Sequence, residues 1–160
     1  MSTMIQVTEP TMVLNEEVCK SNIARMAAKA KAANVVFRPH FKTHQSREIG
    51  EWFRASGVDK ITVSSLNMAM KFAEWGWNDI TVAFPVNCLE HEKINALAAK
   101  IRLSLLLVHS EGARQLSECL KYPVGVYLGV DTGYHRDGVD AGNNEKIERI
   151  MNIVAPDVNI

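Results

Sequence analysis

ITVAFPVNCLEHEKINALAAKIRLSLLLV, residues Ile80 to Val108, decides the fold. Ile80 to Phe84 are β-branched or apolar and stop at Pro85, which cannot donate to a sheet. Glu90 to Lys100 carries helix formers, and Leu103 to Val108 returns to a nearly unbroken apolar run. Strands without polar alternation belong where helices cover both faces of a parallel sheet. Strand, helix and strand in this order make a βα unit.

The alternation continues in both directions. Upstream, Lys60 to Ser64 (KITVS) reads as a strand and Leu66 to Trp75 as a helix stopped at Gly76. Ser46 to Ser56 reads as a helix closed by Gly57, and Val35 to Thr43 as a strand. Asn15 to Ala33 reads as a helix, with Val18, Ile23, Met26, Ala27 and Ala30 at helical spacing. Asn15 is its N-cap, and Glu16 and Glu17 suit the positive end of its dipole. Thr11 to Leu14 is a first short strand. Downstream, Glu111 to Leu120 is a helix, Val124 to Val130 (VGVYLGV) a strand and Asn144 to Val154 a helix. APDVNI, 155–160, reads as the approach to a further strand. This is an α/β chain of about six strand–helix units on a parallel sheet. A doubly wound open sheet and part of an eight-fold barrel both accommodate that count. A closed barrel usually needs ~250 residues, so a barrel built from 160 residues is incomplete and leaves an open edge.

Lys and Arg total 18, as do Asp and Glu, for a formal net charge of zero. That balance argues against nucleic acid and anionic membrane surfaces, which call for clustered basic charge. No run approaches the ~18 apolar residues of a membrane span, and MSTMIQVTEP lacks the pattern of a secretory signal. Cys19, Cys88 and Cys119 are odd in number and scattered, which is neither a disulfide framework nor a zinc spacing. They read as small apolar fillers in a chain expected in the reducing cytoplasm, and no metal site is expected among these residues.

Two stretches carry chemistry. RPHFKTHQ, Arg38 to Gln45, places Arg38, His40, Lys42 and His44 on one face of an extended chain, with Phe41 and Thr43 on the other. Cationic and titratable groups gathered on a buried strand call for an anion, and the carboxyl ends of parallel strands are where ligands bind. A partly desolvated lysine in such company favours the neutral amine that forms imines. The plain alternative is a solvated junction between strand and loop. The second stretch, VDTGYHRDGV, Val130 to Val139, carries Asp131, Gly133, His135, Arg136 and Gly138. Its glycines permit positive φ and close backbone approach, and Arg136 offers a planar fork to a carboxylate or a cofactor oxygen. The plain alternative is a loop in which Asp131 and Arg136 pair with each other.

These stretches bring a resemblance with them. NIARMAAKAKAANVVFRPHFKTHQSREIG, Asn22 to Gly50, resembles the start of D-threonine aldolases and eukaryotic-type D-serine dehydratases. Those enzymes belong to the alanine-racemase-like (fold type III) group of pyridoxal-phosphate enzymes. ITVSSLNMAMKFAEWGWNDITVAFPV, Ile61 to Val86, is similar to the segment that follows there, and DTGYHRDGV, Asp131 to Val139, to the family's D-x-G-x-x-R-x-G-V. The resemblance implies that residues 1–160 are the N-terminal part of a pyridoxal-phosphate-binding (β/α)8 barrel of TIM type, with the C-terminal β domain outside them. It implies that Lys42, the lysine of P-H-x-K-T-H, holds pyridoxal 5'-phosphate as an imine. His40 would line or stack beside the cofactor, and Arg136 would meet its phenolic oxygen or the substrate carboxylate. His44 and His135 would be supporting or loop residues.

The activity so implied is that of a lyase on a β-hydroxy-D-amino acid. It would cleave its substrate to glycine and an aldehyde, or dehydrate D-serine to pyruvate and ammonia. An amino-acid racemase and a non-catalytic pyridoxal-phosphate-binding protein are the alternatives on the same scaffold. Ligands for a divalent metal and the phosphate-binding loops would lie after Ile160, the full-length protein would be a homodimer, and these residues alone would be inactive. Bacterial racemases of the group commonly carry a lysine two residues before the Asp of the second stretch. Gly129 stands there in this chain, which favours the lyase branch. An acidic residue common in the helix after the third strand is missing from LNMAMKF.

Overall fold

The computed structural model describes residues 7–154. Helix α1 (Glu16–Ala32) starts where the Asn15 side chain accepts the Val18 N–H at 3.0 Å, with Glu16 and Glu17 in its first turn. Helix α2 (Arg47–Ala55) starts on Ser46, whose hydroxyl accepts from Ile49, and α3 (Leu66–Glu74) on Ser65, which accepts from Met68. The main sheet is β1 (Ile61–Val63), β2 (Asp79–Pro85), β3 (Arg102–Leu107) and β4 (Gly125–Leu128). Helices α3, α4 (His91–Ala98) and α5 (Ser110–Cys119) connect these strands, and α6 (Asn144–Val154) comes last.

Strand order separates the two windings. The strands β1 to β4 lie in chain order and pair parallel throughout. A doubly wound sheet reverses its order at a switch point. Here each crossover advances one place in the same direction, which is the winding of a (β/α) barrel. Thr62, Thr81, Ser104 and Gly125 form one row across the sheet. Ile61, Ile80, Val82, Leu103 and Leu105 alternate with that row and join Phe72, Ile94, Leu97 and Leu116 in a single core.

The other face stays open. Val36, Arg38, Thr62, Thr81, Leu106 and Tyr127 border a hollow of about 490 Å³, and Tyr127 is 50% exposed. LSLLLV therefore has one sealed face, not the two expected of it. This is the inner face of a barrel that the described residues do not close.

Two expected strands are absent. Thr11 to Leu14 pairs with no strand among the described residues and is exposed. Val35 to Thr43 runs only as far as His40, which bridges singly to Thr62, before the chain tightens into a 3-10 turn over Phe41–Thr43. The reason is burial: turning the chain there sends Phe41 fully inside. The expected approach to a further strand at 155–160 lies outside the described residues. A pair not foreseen, β5 (Val130–Asp131) and β6 (Val139–Asp140), closes the base of the second chemical stretch.

One buried amide ties two helices together. The Asn95 side chain in α4 donates to the carbonyls of His91 and Cys119, both at 2.9 Å, and accepts the Lys121 N–H at 2.6 Å. Removing it leaves the part-buried Lys121 N–H and Cys119 carbonyl without this partner, and such bonds are costly to leave unmade. Asn95→Ala is expected to lower unfolding stability by about 1–3 kcal/mol, read as a lower urea midpoint at unchanged slope.

Candidate active site

The turn that carries Lys42 is set by its neighbours. Phe41 is fully buried and meets Phe53, Phe72 and Trp77 with ring centroids 5.1 Å away in each case. His44 lies 4.5 Å edge-on to Phe41 and stacks on Phe53 at 5.9 Å. With these two rings held inside, Lys42 between them is exposed. The four-residue face expected for Arg38, His40, Lys42 and His44 is thus divided. Arg38 points to the opposite end of the strands, where it pairs with Asp79 at 2.7 Å and donates to the Ile61 carbonyl at 3.2 Å. Asp79 is the anion that the cluster called for, but of that cluster it meets Arg38 alone, its other oxygen lying 3.9 Å from Arg102. His44 faces the aromatic core.

The second stretch folds around Asp131. One of its carboxylate oxygens accepts from Gly133 N–H at 2.9 Å and His135 N–H at 3.0 Å, and the other meets His135 Nδ1 at 2.9 Å. These bonds, the two backbone ones first, hold the Asp131 carboxyl below its usual range. Asp131 does not pair with Arg136. The partner of Arg136 is Asp137, whose Oδ2 accepts from Nε at 3.1 Å. Gly138 lets the loop return, with φ at +106°.

The two stretches, distant in sequence, converge. Lys42, Ser64, Ala83, Phe84, Pro85, Arg136 and Asp137 line one hollow of about 540 Å³. Ser64 follows β1 and Pro85 ends β2, so the hollow opens at the carboxyl ends of parallel strands, the functional rim of barrels of this kind. Lys42 and Arg136 are therefore neighbours across one space. His40 is not among the lining residues. Its Nδ1 instead accepts the Lys42 backbone N–H at 3.3 Å, and burial, then the Lys42 charge, keeps its pKa below the ordinary 6.5. Sequence reasoning missed Ser64 and Asp137. The rule that ligands meet strand ends points to Ser64, whereas Asp137 is distinguished by its bond to Arg136, a matter of loop geometry. Among the described residues no three His, Cys, Asp or Glu side chains are placed to share a metal ion, and no helix is long and apolar enough to cross a membrane.

The residues fit a pyridoxal phosphate. A primary amine stands at the rim, and the terminal nitrogens of Arg136 carry no hydrogen bond among the described residues, since Nε alone is engaged. Phe84, 63% exposed, offers an apolar wall suited to a planar ring.

Comparison with known proteins supplies the family. The family model described as "Alanine racemase, N-terminal domain" matches residues 14–156. The chain is 34% identical over 145 residues to the D-threo-3-hydroxyaspartate dehydratase of Delftia sp. (strain HT23), across 87% of this chain and 38% of that protein. It is 27% identical over 161 residues to the D-serine dehydratase of Dictyostelium discoideum, across 89% of this chain and 40% of that one. Among solved structures, the D-threonine aldolase from Filomicrobium marinum shares the fold with a TM-score of 0.84 at 24% identity, over 91% of this chain and 40% of that chain. The chain spans about two fifths of the length of the curated relatives it matches.

Proposed function

This chain belongs to the alanine racemase N-terminal domain family, and on that premise we propose that it is the cofactor-holding part of a pyridoxal-phosphate-dependent lyase for β-hydroxy-D-amino acids. The observation that carries the reading is the convergence of Lys42 and Arg136 on one hollow at the strand ends. Lys42 Nζ is the attachment point, presented by a turn that the buried Phe41 ring and the half-buried His44 ring hold still. Arg136, fixed through Nε by Asp137, offers its terminal N–H pair to an oxygen anion of the cofactor ring or of the substrate carboxylate. Phe84 and Pro85 wall the hollow and keep water from one side of it. When bound, the cofactor supplies an electron sink for bonds at the substrate Cα. Once free, Lys42 Nζ is the group placed to carry a proton at that rim.

Position 129 supports the lyase branch over the racemase. A Cβ on Gly129 would stand 3.0 Å from Val108 Cγ1 and 3.4 Å from the Leu107 carbonyl oxygen, so the lysine common there in racemases meets crowding here. The substrate class, a divalent metal bound by residues outside this chain, a homodimer and a cytoplasmic location belong to the same proposal for the whole protein.

Borohydride reduction in the presence of pyridoxal phosphate tests the site. A pyridoxyl group located by mass spectrometry is expected on Lys42 at low cofactor excess, and Lys42→Ala should lose it. Label scattered over surface lysines in both proteins would sink the assignment.

A further inference from the structure

Two histidines bracket Lys42, and each spends its Nδ1 on a backbone N–H two residues on. His40 Nδ1 accepts from Lys42 at 3.3 Å, and His44 Nδ1 accepts from Ser46 at 3.1 Å. The same two-residue pattern recurs elsewhere in the chain with side chains that remain acceptors at neutral pH. Asn87 accepts from Leu89, Asp131 from Gly133 and Asp140 from Gly142. Asn and Asp are the residues that ordinarily make such turns. Around Lys42 the chain uses imidazole instead, in the tautomer that leaves Nδ1 bare.

We propose that His40 and His44 are positioning residues for Lys42, whose caps fix the turn while both rings are neutral and release it when they protonate. This rests on the reading of Lys42 as the cofactor-holding lysine. A proton arriving at Nδ1 occupies the lone pair that the amide uses, turning an acceptor into a donor that faces another donor. His44 adds a second reason. Its ring sits among Phe41, Phe53 and Phe72, and its Nε2 is buried without a partner, so a cation there has nothing to meet. Lys42 is the charge that bears on His40, and no charged group bears on His44 among the described residues.

The sign follows from burial, which holds both rings below the ordinary histidine value of 6.5. As pH falls, the unfolded turn takes up protons first. The stability of the turn is therefore complete above about pH 6.5, declines below it, and levels off once the folded rings protonate.

Amide exchange without cofactor reads the caps directly, with protection taken relative to the intrinsic rate at each pH. Protection of the Lys42 and Ser46 amides is expected to fall about tenfold between about pH 7 and pH 5. Asparagine caps the same way but does not titrate, so H40N should abolish the fall at Lys42 and leave it at Ser46, while H44N should do the reverse. The His40 ring lies outside the aromatic cluster, so H40N tests the idea even where H44N unfolds the chain. Pyridoxyl trapping on Lys42 should drop several-fold in H40A and recover in H40N. Lys42 protection that keeps its acid dependence in H40N, or trapping in H40A equal to wild type, would overturn the inference. A wild-type chain with the expected amide behaviour but no label on Lys42 would instead overturn the cofactor reading and leave the histidine caps standing.

Discussion

Phe41→Ala is expected to cost about 3–5 kcal/mol of stability, the top of the range for a core truncation. The ring is fully buried and touches four others: Phe53, Phe72, Trp77 and His44. These come from α2, α3, the loop before β2 and the Lys42 turn itself. The cavity left behind cannot collapse easily, because each wall belongs to a different element and Trp77 is held from behind by the Arg54 guanidinium 4.6 Å from its ring. Arg54 is fixed in turn by Glu51 at 2.7 Å and by the Trp75 carbonyl at 3.2 Å. Equilibrium denaturation by urea gives the number. A loss below about 1 kcal/mol would mean that the site relaxes and that Phe41 is not the anchor of the turn. The effect also couples stability to function, since Lys42 is the residue that follows Phe41.

The repeating βα units were legible because their signals are local. A serine or asparagine cap, a glycine stop and an apolar run each act within a few residues; Asn15, Gly57 and Gly76 behave as such signals should, and LSLLLV forms its strand though only one of its faces is sealed. The winding was legible only through the family resemblance, since open sheet and barrel differ only in strand order, which the alternation of elements leaves open and which appears once the strands pair. The strand expected at Val35 to Thr43 failed for a related reason. Alternation along RPHFKTH suggested one chemical face, but the gain from burying Phe41 among rings brought by α2 and α3 outweighs the extended conformation. Tertiary burial overrode a local pattern. The histidine caps escaped notice because Asn, Asp and Ser are the residues read as such caps, and only coordinates reveal which ring nitrogen faces which amide. Lys42 and Arg136 were each visible as part of a motif. Their sharing of one hollow could not be read from spacing along the chain.

Gly138→Ala should uncouple the two halves of that hollow. Gly138 has φ at +106°, where residues with a side chain are strained by about 1–3 kcal/mol. The local space is worse than the angle: a Cβ there would lie 2.7 Å from the Asp131 nitrogen, 2.9 Å from the Val130 carbonyl carbon and 3.1 Å from the Gly129 oxygen. All three are backbone atoms, so no side chain can swing aside. Relief requires β6 to part from β5, and the register Val130↔Val139 and Asp131↔Asp140 is all that pairs them. Asp131 also organises the loop through Gly133 and His135, so displacing its backbone carries Arg136 away from the Lys42 side. The expected result is a chain destabilised by more than the ~1–3 kcal/mol of the φ strain alone, with the main sheet still untouched, and with Lys42 trapping of pyridoxal phosphate reduced about tenfold or more. Gly133→Ala is the matched control. Its φ of +111° carries similar strain, but a Cβ there meets nothing within 4 Å. If the two variants trap cofactor equally well, the crowding at Gly138 does not govern the placement of Arg136. A large loss confined to Gly138→Ala would mean that the close return of the chain at this glycine is what brings the second stretch to the first.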